Sequence, residues 1–174
     1  MKIIGFVQNG TRTEMVLKGD SCLLNGRKPM FVPDWTQELG ATPCVVLRVS
    51  RLGKEIALRF ANRYYDAITS GVDFVALDML REARENGGSW TPAIGFDYSL
   101  AIGSWVEITE PIQLEKDLYL ITPEEAIVQA SRQMTIRQGD LIYIQKKDAL
   151  ELAHKEDIYQ AEINGTDVLY CKIK

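Results

Sequence analysis

Histidine is nearly missing from this chain: its 174 residues include one, His154. Zinc centres built on two or three imidazoles are thereby excluded, and a nucleophile–histidine pair has a single residue to draw on. The three cysteines, Cys22, Cys44 and Cys171, are an odd number without paired spacing, which fits reduced thiols in a cytoplasm rather than a disulfide framework. Basic charge is not in excess either. Lys and Arg number 20 against 24 Asp and Glu, a net charge of −4, and no short cluster amounts to the basic patch of a nucleic-acid binder. No apolar run is long enough to span a bilayer. Met1 to Val7 enters a strand pattern at once and lacks signal-peptide anatomy, so a cytoplasmic location is expected. The remainder is ordinary. With 46% hydrophobic and 25% charged residues, 1–174 reads as one domain able to bury a core without metals or disulfides.

Turn residues divide the chain into short elements. Ile3 to Val7 and Glu14 to Leu17 read as strands around Gln8-Asn9-Gly10. Asn25-Gly26, between Cys22-Leu23-Leu24 and Lys28 to Val32, predicts a hairpin, because Asn-Gly supplies the positive φ angles of a type I′ turn. Pro29 places its second strand at an edge. Pro33 to Pro43 is expected as loop and Cys44 to Ser50 as a mostly buried strand. Ile56, Phe60 and Tyr64, with Ala57, Ala67 and Ile68, recur at helical spacing and predict a helix that Gly71 ends as a C-cap. Val72 to Leu77 then reads as strand, Asp78 to Asn86-Gly87-Gly88 as helix, and Ser89 to Gly103 as irregular. Ser104 to Thr109 and Leu118 to Ile121 are expected strands. Thr122-Pro123-Glu124-Glu125 is a helix start with a capping box and proline at the first helical position. Leu141 to Gln145 is a strand, and Ile158 to Ile163, Asn164-Gly165 and Val168 to Ile173 a closing hairpin. The Asn-Gly-Thr triplets at Asn9 and Asn164 read as turns rather than glycosylation sites. The expected class is α+β, β-rich, with about three short helices.

Certain stretches are more specific than this. They are Arg51-Leu52-Gly53-Lys54-Glu55-Ile56, Phe60-Ala61-Asn62-Arg63-Tyr64-Tyr65-Asp66, and Gly71-Val72-Asp73-Phe74-Val75-Ala76-Leu77-Asp78, followed by Trp90 and Gly95-Phe96-Asp97. Together with Lys18 to Leu24, Pro33-Asp34-Trp35 and Met134 to Tyr143, they resemble the fumarylacetoacetate hydrolase family, especially its short bacterial members. The resemblance covers nearly the whole chain. It implies a mixed β-sheet roll of the family's C-terminal-domain type, a homodimer, and metal-dependent cleavage, decarboxylation or isomerisation of small oxo-acids. In that family Mg²⁺ or Mn²⁺ is held by two glutamates one residue apart on a strand and an aspartate on a later one. A lysine assists.

Transferred position by position, most of that machinery is missing. Thr42 and Cys44 stand where the resemblance puts the glutamates, and Ile94 where it puts the lysine. Leu77 replaces an arginine before Asp78, the segment Gly5 to Gly10 is followed by no tyrosine or histidine, and Gln145-Lys146-Lys147-Asp148 replaces a Thr-Gly-Thr-Pro loop. Only Asp73 survives of the acidic trio. A hard cation such as Mg²⁺ prefers carboxylates and dehydrates reluctantly, and a thiol is the wrong softness for it. The expectation is a pseudoenzyme without cofactor or catalytic residues, with Asp73 a vestigial ligand, working as a homodimer or beside an active paralogue, with no nucleic acid or membrane. Two alternatives remain open. One is a divergent Mg- or Mn-dependent enzyme in which Asp78 or Asp97 joins Asp73. The other is a metal-free module holding a small organic anion through Lys18 and backbone amides, with Ser21 beside Lys18 as a candidate contact.

Each candidate also has a plain structural role. Asp73 reads as a strand-end carboxylate and Cys44 as a small buried hydrophobe with nothing nearby in sequence to lower its pKa. His154, among Glu151, Lys155, Glu156 and Asp157, reads as solvated, as do Asp78 and Glu82 on a helix face and Lys146-Lys147 in a turn. Lys18 is expected to snorkel from an edge strand unless it meets an anion.

Overall fold

Two long neighbouring strands set the architecture of the computed structural model, which describes residues 1–109 and 117–174. The chain begins with a hairpin of β1 (Ile3–Asn9) and β2 (Arg12–Lys18), then β3 (Leu23–Asn25) and the long β4 (Leu39–Val49) and β5 (Tyr65–Ala76). Helix α1 (Leu77–Glu85), the single turn α2 (Thr91–Ile94), β6 (Leu100–Ile102) and β7 (Val106–Glu107) follow. Helix α3 (Pro123–Gln133), β8 (Leu141–Gln145), β9 (Glu151–Leu152) and a hairpin of β10 (Ile158–Ile163) and β11 (Thr166–Lys172) complete it. Among the described residues, β2-β1-β8-β4-β5-β6-β3 form one mixed sheet, with β7 on β5 and β9 on β4. The β1–β8 and β3–β6 pairs are parallel and the other pairs antiparallel.

Side chains alternate across a sheet, and that period divides the core. Ile4, Phe6, Leu47, Ile142 and Ile144 point to one face and pack with Ala126, Ile127 and Ala130 of α3. On β5, Val72 and Phe74 pack with the β10–β11 hairpin. Ile3, Cys44, Val46 and Tyr143 belong to a separate cluster. The positions two residues on, Thr42, Asp73 and Gln145, continue toward one end of the sheet.

Helix α3 is held at its start as its sequence predicts. Thr122 N donates to Glu125 Oε2 at 2.9 Å and Glu125 N to Thr122 Oγ1 at 3.2 Å, with Pro123 in the first turn. The closing hairpin also turns on its Asn-Gly pair, where Asn164 and Gly165 have φ of 52° and 74°. Such caps contribute about 0.5–2 kcal/mol each.

Three expectations fail for tertiary reasons. The helix expected through Ile56 to Ile68 is a 3-10 turn at Leu58–Arg63, after which the chain extends into β5. Tyr65, Ile68, Thr69 and Val72 suit a strand, and β5 is buried on both faces, so its apolar residues mimic a helical period. Gly71 is not a C-cap: a Cβ there would lie 2.7 Å from Ala101 O and 3.1 Å from Cys44 Sγ. The hairpin expected at Asn25-Gly26 does not close either. Positive φ falls on Gly26 and Arg27, β3 pairs with β6, and Met30 bridges Ile173. The expected loop to Pro43 is the first half of β4, with Pro43 inside the strand. Its carbonyl accepts from Lys146 N at 2.9 Å on the side where β8 ends at Cys44 and β9 starts at Ala41, so the missing proline N–H falls in a gap of the ladder. Smaller differences concern 89–103, which contains α2 and β6, and 118–121, reduced to a bridge between Tyr119 and Lys146.

Candidate functional site

The end of the sheet where β4, β5 and β8 run side by side opens into a cavity of about 520 Å³. Its floor consists of buried polar side chains, Thr42, Asp73, Tyr143 and Gln145. Thr42 and Asp73 are direct partners in the β4–β5 ladder, and Cys44 is opposite Gln145 in the β4–β8 ladder. The walls are apolar, with Val75 of β5, Leu77 and Leu80 of α1 and Ile94 of α2. Exposed Arg84 and Asp148 mark the mouth, with Trp90 beside Arg84.

The floor holds a buried ion pair. Lys18, the last residue of edge strand β2, turns its side chain inward instead of snorkelling, and Nζ lies 2.7 Å from Asp73 Oδ1. The Lys18 side chain is 0% exposed and that of Asp73 6%. The ammonium also donates to groups around it: Ser99 Oγ at 2.9 Å, Ser99 O at 3.0 Å and, more distantly, Phe74 O at 3.4 Å. Ser99 in turn donates to Ile94 O at 3.0 Å. Asp73 Oδ2 accepts from Gln145 Nε2 at 2.8 Å, and Gln145 Oε1 accepts from Gln8 N at 2.8 Å. Gln8 and Asp148 exchange two further hydrogen bonds at 2.7 Å, so the network runs from floor to mouth.

Two oxygens on the floor are fully buried: Asp73 Oδ1, which meets the Lys18 ammonium, and the Tyr143 hydroxyl beside Asp73. Burial and then the charge of Asp73 push the Tyr143 phenol well above its usual pKa, so it stays neutral. Burial also raises the Cys44 thiol well above its ordinary value; Asp73 adds to this and Lys18 opposes it. Cys44 is therefore a thiol packed behind the floor, not a thiolate.

The other candidates lie apart. Ser21 and Asp97 are exposed and off the cavity lining, although Ser21 precedes Cys22 by one residue and follows Lys18 by three. Asp78 is turned to the loop before β4: Thr36 Oγ1 donates to it at 2.6 Å and Gln37 N at 2.8 Å. Burial alone would raise its pKa, and these bonds outweigh that and lower it. His154 is exposed, with its backbone N–H on Asp157. Lys146 is half-buried over the Tyr119 ring, 5.9 Å from its centre. Thr42, Asp73 and Ile94 do converge on the cavity.

The metal implied by the resemblance does not fit this donor set. Among the described residues, no three His, Cys, Asp or Glu side chains gather to hold an ion. Asp73 is already paired with an ammonium, its ladder neighbour Thr42 is neutral, and Cys44 is protonated. Mg²⁺ or Mn²⁺ would have to displace Lys18 and then bind through one carboxylate.

Arg84 is a cavity residue that the sequence reading did not name, and Gln8, Trp90, Tyr143, Gln145 and Asp148 entered it only within stretches compared with the family, without a role of their own. Two periodic signals could have found some of them. Leu77, Leu80 and Arg84 share one face of α1 at helical spacing, and Tyr143 and Gln145 alternate on β8.

By sequence, the chain matches no protein-family model and no curated protein. In structure the likeness is close. A fumarylpyruvate hydrolase from Pseudomonas aeruginosa, solved with Mn²⁺ and pyruvate, superposes with a TM-score of 0.88 at 15% identity, covering 99% of this chain and 89% of that one. A protein assigned to the fumarylacetoacetate hydrolase family from Yersinia pestis CO92 gives 0.87 at 18% identity, over 99% and 92%. A 5-carboxymethyl-2-hydroxymuconate delta-isomerase from Mycobacterium smegmatis gives 0.79 at 17%, over 99% and 78%. The mixed sheet and its few short helices are thus the fold of the fumarylacetoacetate hydrolase family. None of the described helices is long and apolar enough to cross a membrane.

Proposed function

We propose that this chain is a catalytically silent form of the fumarylacetoacetate hydrolase fold, one that binds a small organic molecule without a metal ion. The observation that carries this reading is the Lys18–Asp73 pair. In the neighbour solved with Mn²⁺ and pyruvate, a divalent cation accompanies the ligand. Here an ammonium of the chain itself neutralises the aspartate that the resemblance assigns to such a cation. A lysine cannot do the cation's work. Lewis-acid catalysis needs an ion that accepts substrate oxygens into its own coordination shell, whereas the protons of Lys18 are already engaged by Asp73, Ser99 and Phe74. The cavity, meanwhile, is of a size that suits a small ligand. Self-association into a dimer, or pairing with an active paralogue, belongs to the same reading.

The test is the melting temperature of EDTA-stripped protein with and without millimolar Mg²⁺ or Mn²⁺, together with assays on acylpyruvates and oxaloacetate. A resident ion at a hundred times its Kd adds about 2.7 kcal/mol. That is about 5–10 °C for a domain of this size. The expected result is no shift and no turnover. A shift of that size, with turnover that EDTA abolishes, returns the chain to the metal-dependent enzymes.

A further inference from the structure

Of the polar side chains on the cavity floor, Thr42 alone is both open to the cavity and unbonded among the described residues. It is 3% exposed and lines the cavity, and its hydroxyl has no hydrogen-bond partner there. Its oxygen is not sealed off, as that of Tyr143 is. The other floor groups are engaged. The Lys18 side chain is closed to solvent and pairs with Asp73, whose second oxygen takes Gln145 Nε2, and Gln145 Oε1 takes Gln8 N. Around Thr42 stand Val7, Val16, Val75, Leu77, Leu80 and Ile94. Charge returns only at the mouth, where exposed Arg84 and Asp148 are of opposite sign and Asp148 is held by Gln8.

We propose that the cavity binds an uncharged, largely apolar molecule with one carbonyl or hydroxyl group, a ketone or an alcohol, whose polar end meets the Thr42 hydroxyl while its hydrocarbon part lies against the walls. A threonine hydroxyl donates to a carbonyl and accepts from an alcohol, so it serves either group. Such a ligand removes the aliphatic walls from water and gives a buried hydroxyl its partner. The same surroundings turn a carboxylate away. It would shed its hydration among aliphatic side chains, close to Asp73, which is the ladder partner of Thr42. No cation would receive it there, because Lys18 is closed to solvent and already paired. Arg84 is exposed, so an anion drawn to it remains in water at the mouth. This inference rests on the metal-free reading, because a divalent cation at Asp73 would supply the missing positive charge and admit a carboxylate.

The test is calorimetric titration with cyclohexanone, cyclohexanol, toluene and cyclohexanecarboxylate, once in EDTA and once in excess Mn²⁺. The proteins are the wild type, Thr42→Val and Ile94→Trp. Thr42→Val exchanges an unbonded hydroxyl for a methyl group of the same shape and is expected to fold. Ile94→Trp fills the cavity from a half-buried position on its wall. The proposal expects the three neutral probes to bind in EDTA, and the ketone and alcohol to bind more tightly than the carboxylate. Thr42→Val should weaken the ketone and the alcohol by about two- to tenfold, the worth of one hydrogen bond, and leave toluene unchanged. Ile94→Trp should weaken all three. A carboxylate bound in EDTA as tightly as the neutral probes overturns the proposal, as does ketone and alcohol affinity that is indifferent to Thr42→Val. So does a loss in Thr42→Val that toluene shares equally, or binding undiminished in a folded Ile94→Trp. Absence of binding by the neutral probes in both conditions overturns it too, and leaves the metal-free reading standing. Carboxylate binding that appears only with Mn²⁺ overturns both.

Discussion

Lys18 and Asp73 meet at 2.7 Å with both side chains removed from water, at the point where β2, β5 and the loop before β6 converge. Desolvating two charges is costly, so such a pair is not in itself a strong stabiliser. Its importance is that neither charge can be removed alone.

Lys18→Met should leave a buried carboxylate without its counter-charge and cost about 3–5 kcal/mol. Adding Asp73→Asn keeps the Gln145 contact and removes the stranded charge. The double variant should therefore recover a large part of the loss in urea unfolding. Additive losses would show that the two residues do not act as a pair.

If Lys18 stands in for a cation, the exchange should run in reverse. Thr42→Glu and Cys44→Glu combined with Lys18→Ala place two carboxylates near Asp73, one on the cavity lining and one behind its floor, and remove the ammonium. Mn²⁺ should raise the melting temperature of that variant by several degrees while the wild type stays unresponsive. A folded triple variant indifferent to Mn²⁺ would refute the assignment of Thr42 and Cys44 to the ion's surroundings.

Acid sensitivity should come in part from Asp140, which ties the chain start to the turn before β8. Its carboxylate lies 2.6 Å from Lys2 Nζ and accepts from Lys2 N at 2.8 Å and Arg137 N at 2.9 Å. Burial would raise its pKa, and these partners outweigh it and hold the group below its ordinary value. A lowered folded pKa gives stability that is complete above the unfolded value of about 3.9 and is lost as pH falls through the folded one. Asp140→Asn should thus be less stable than wild type at neutral pH, with the difference shrinking below about pH 4. A difference independent of pH in denaturant titrations would contradict this.

Gly5 makes room for Tyr143. A Cβ at Gly5 would sit 2.1 Å from Tyr143 Cζ and 2.3 Å from its hydroxyl oxygen, across the β1–β8 pair in which the two residues are partners. Gly5→Ala should cost about 1–3 kcal/mol by overpacking. The ring must also shift. Gly5→Ala with Tyr143→Leu should regain stability. Failure to do so would mean that the strain lies in the backbone.

Local signals were legible because they act through neighbouring atoms. Thr122 and Glu125 cap α3 over a span of one helical turn, Asn164-Gly165 turns the last hairpin through its own φ angles, and Leu141 to Gln145 forms β8 as expected. The framework residues also sufficed to indicate the fold. Tertiary structure decided the rest. The apolar period of Ile56 to Ile68 gave no hint that β5 is buried on both faces, because burial belongs to the assembled sheet and not to the segment. Nor does any pattern near Lys18 show that its ammonium leaves water for Asp73. That choice weighs desolvation against one opposite charge and three acceptors on Ser99 and Phe74, groups that come together only when the register of several strands is fixed.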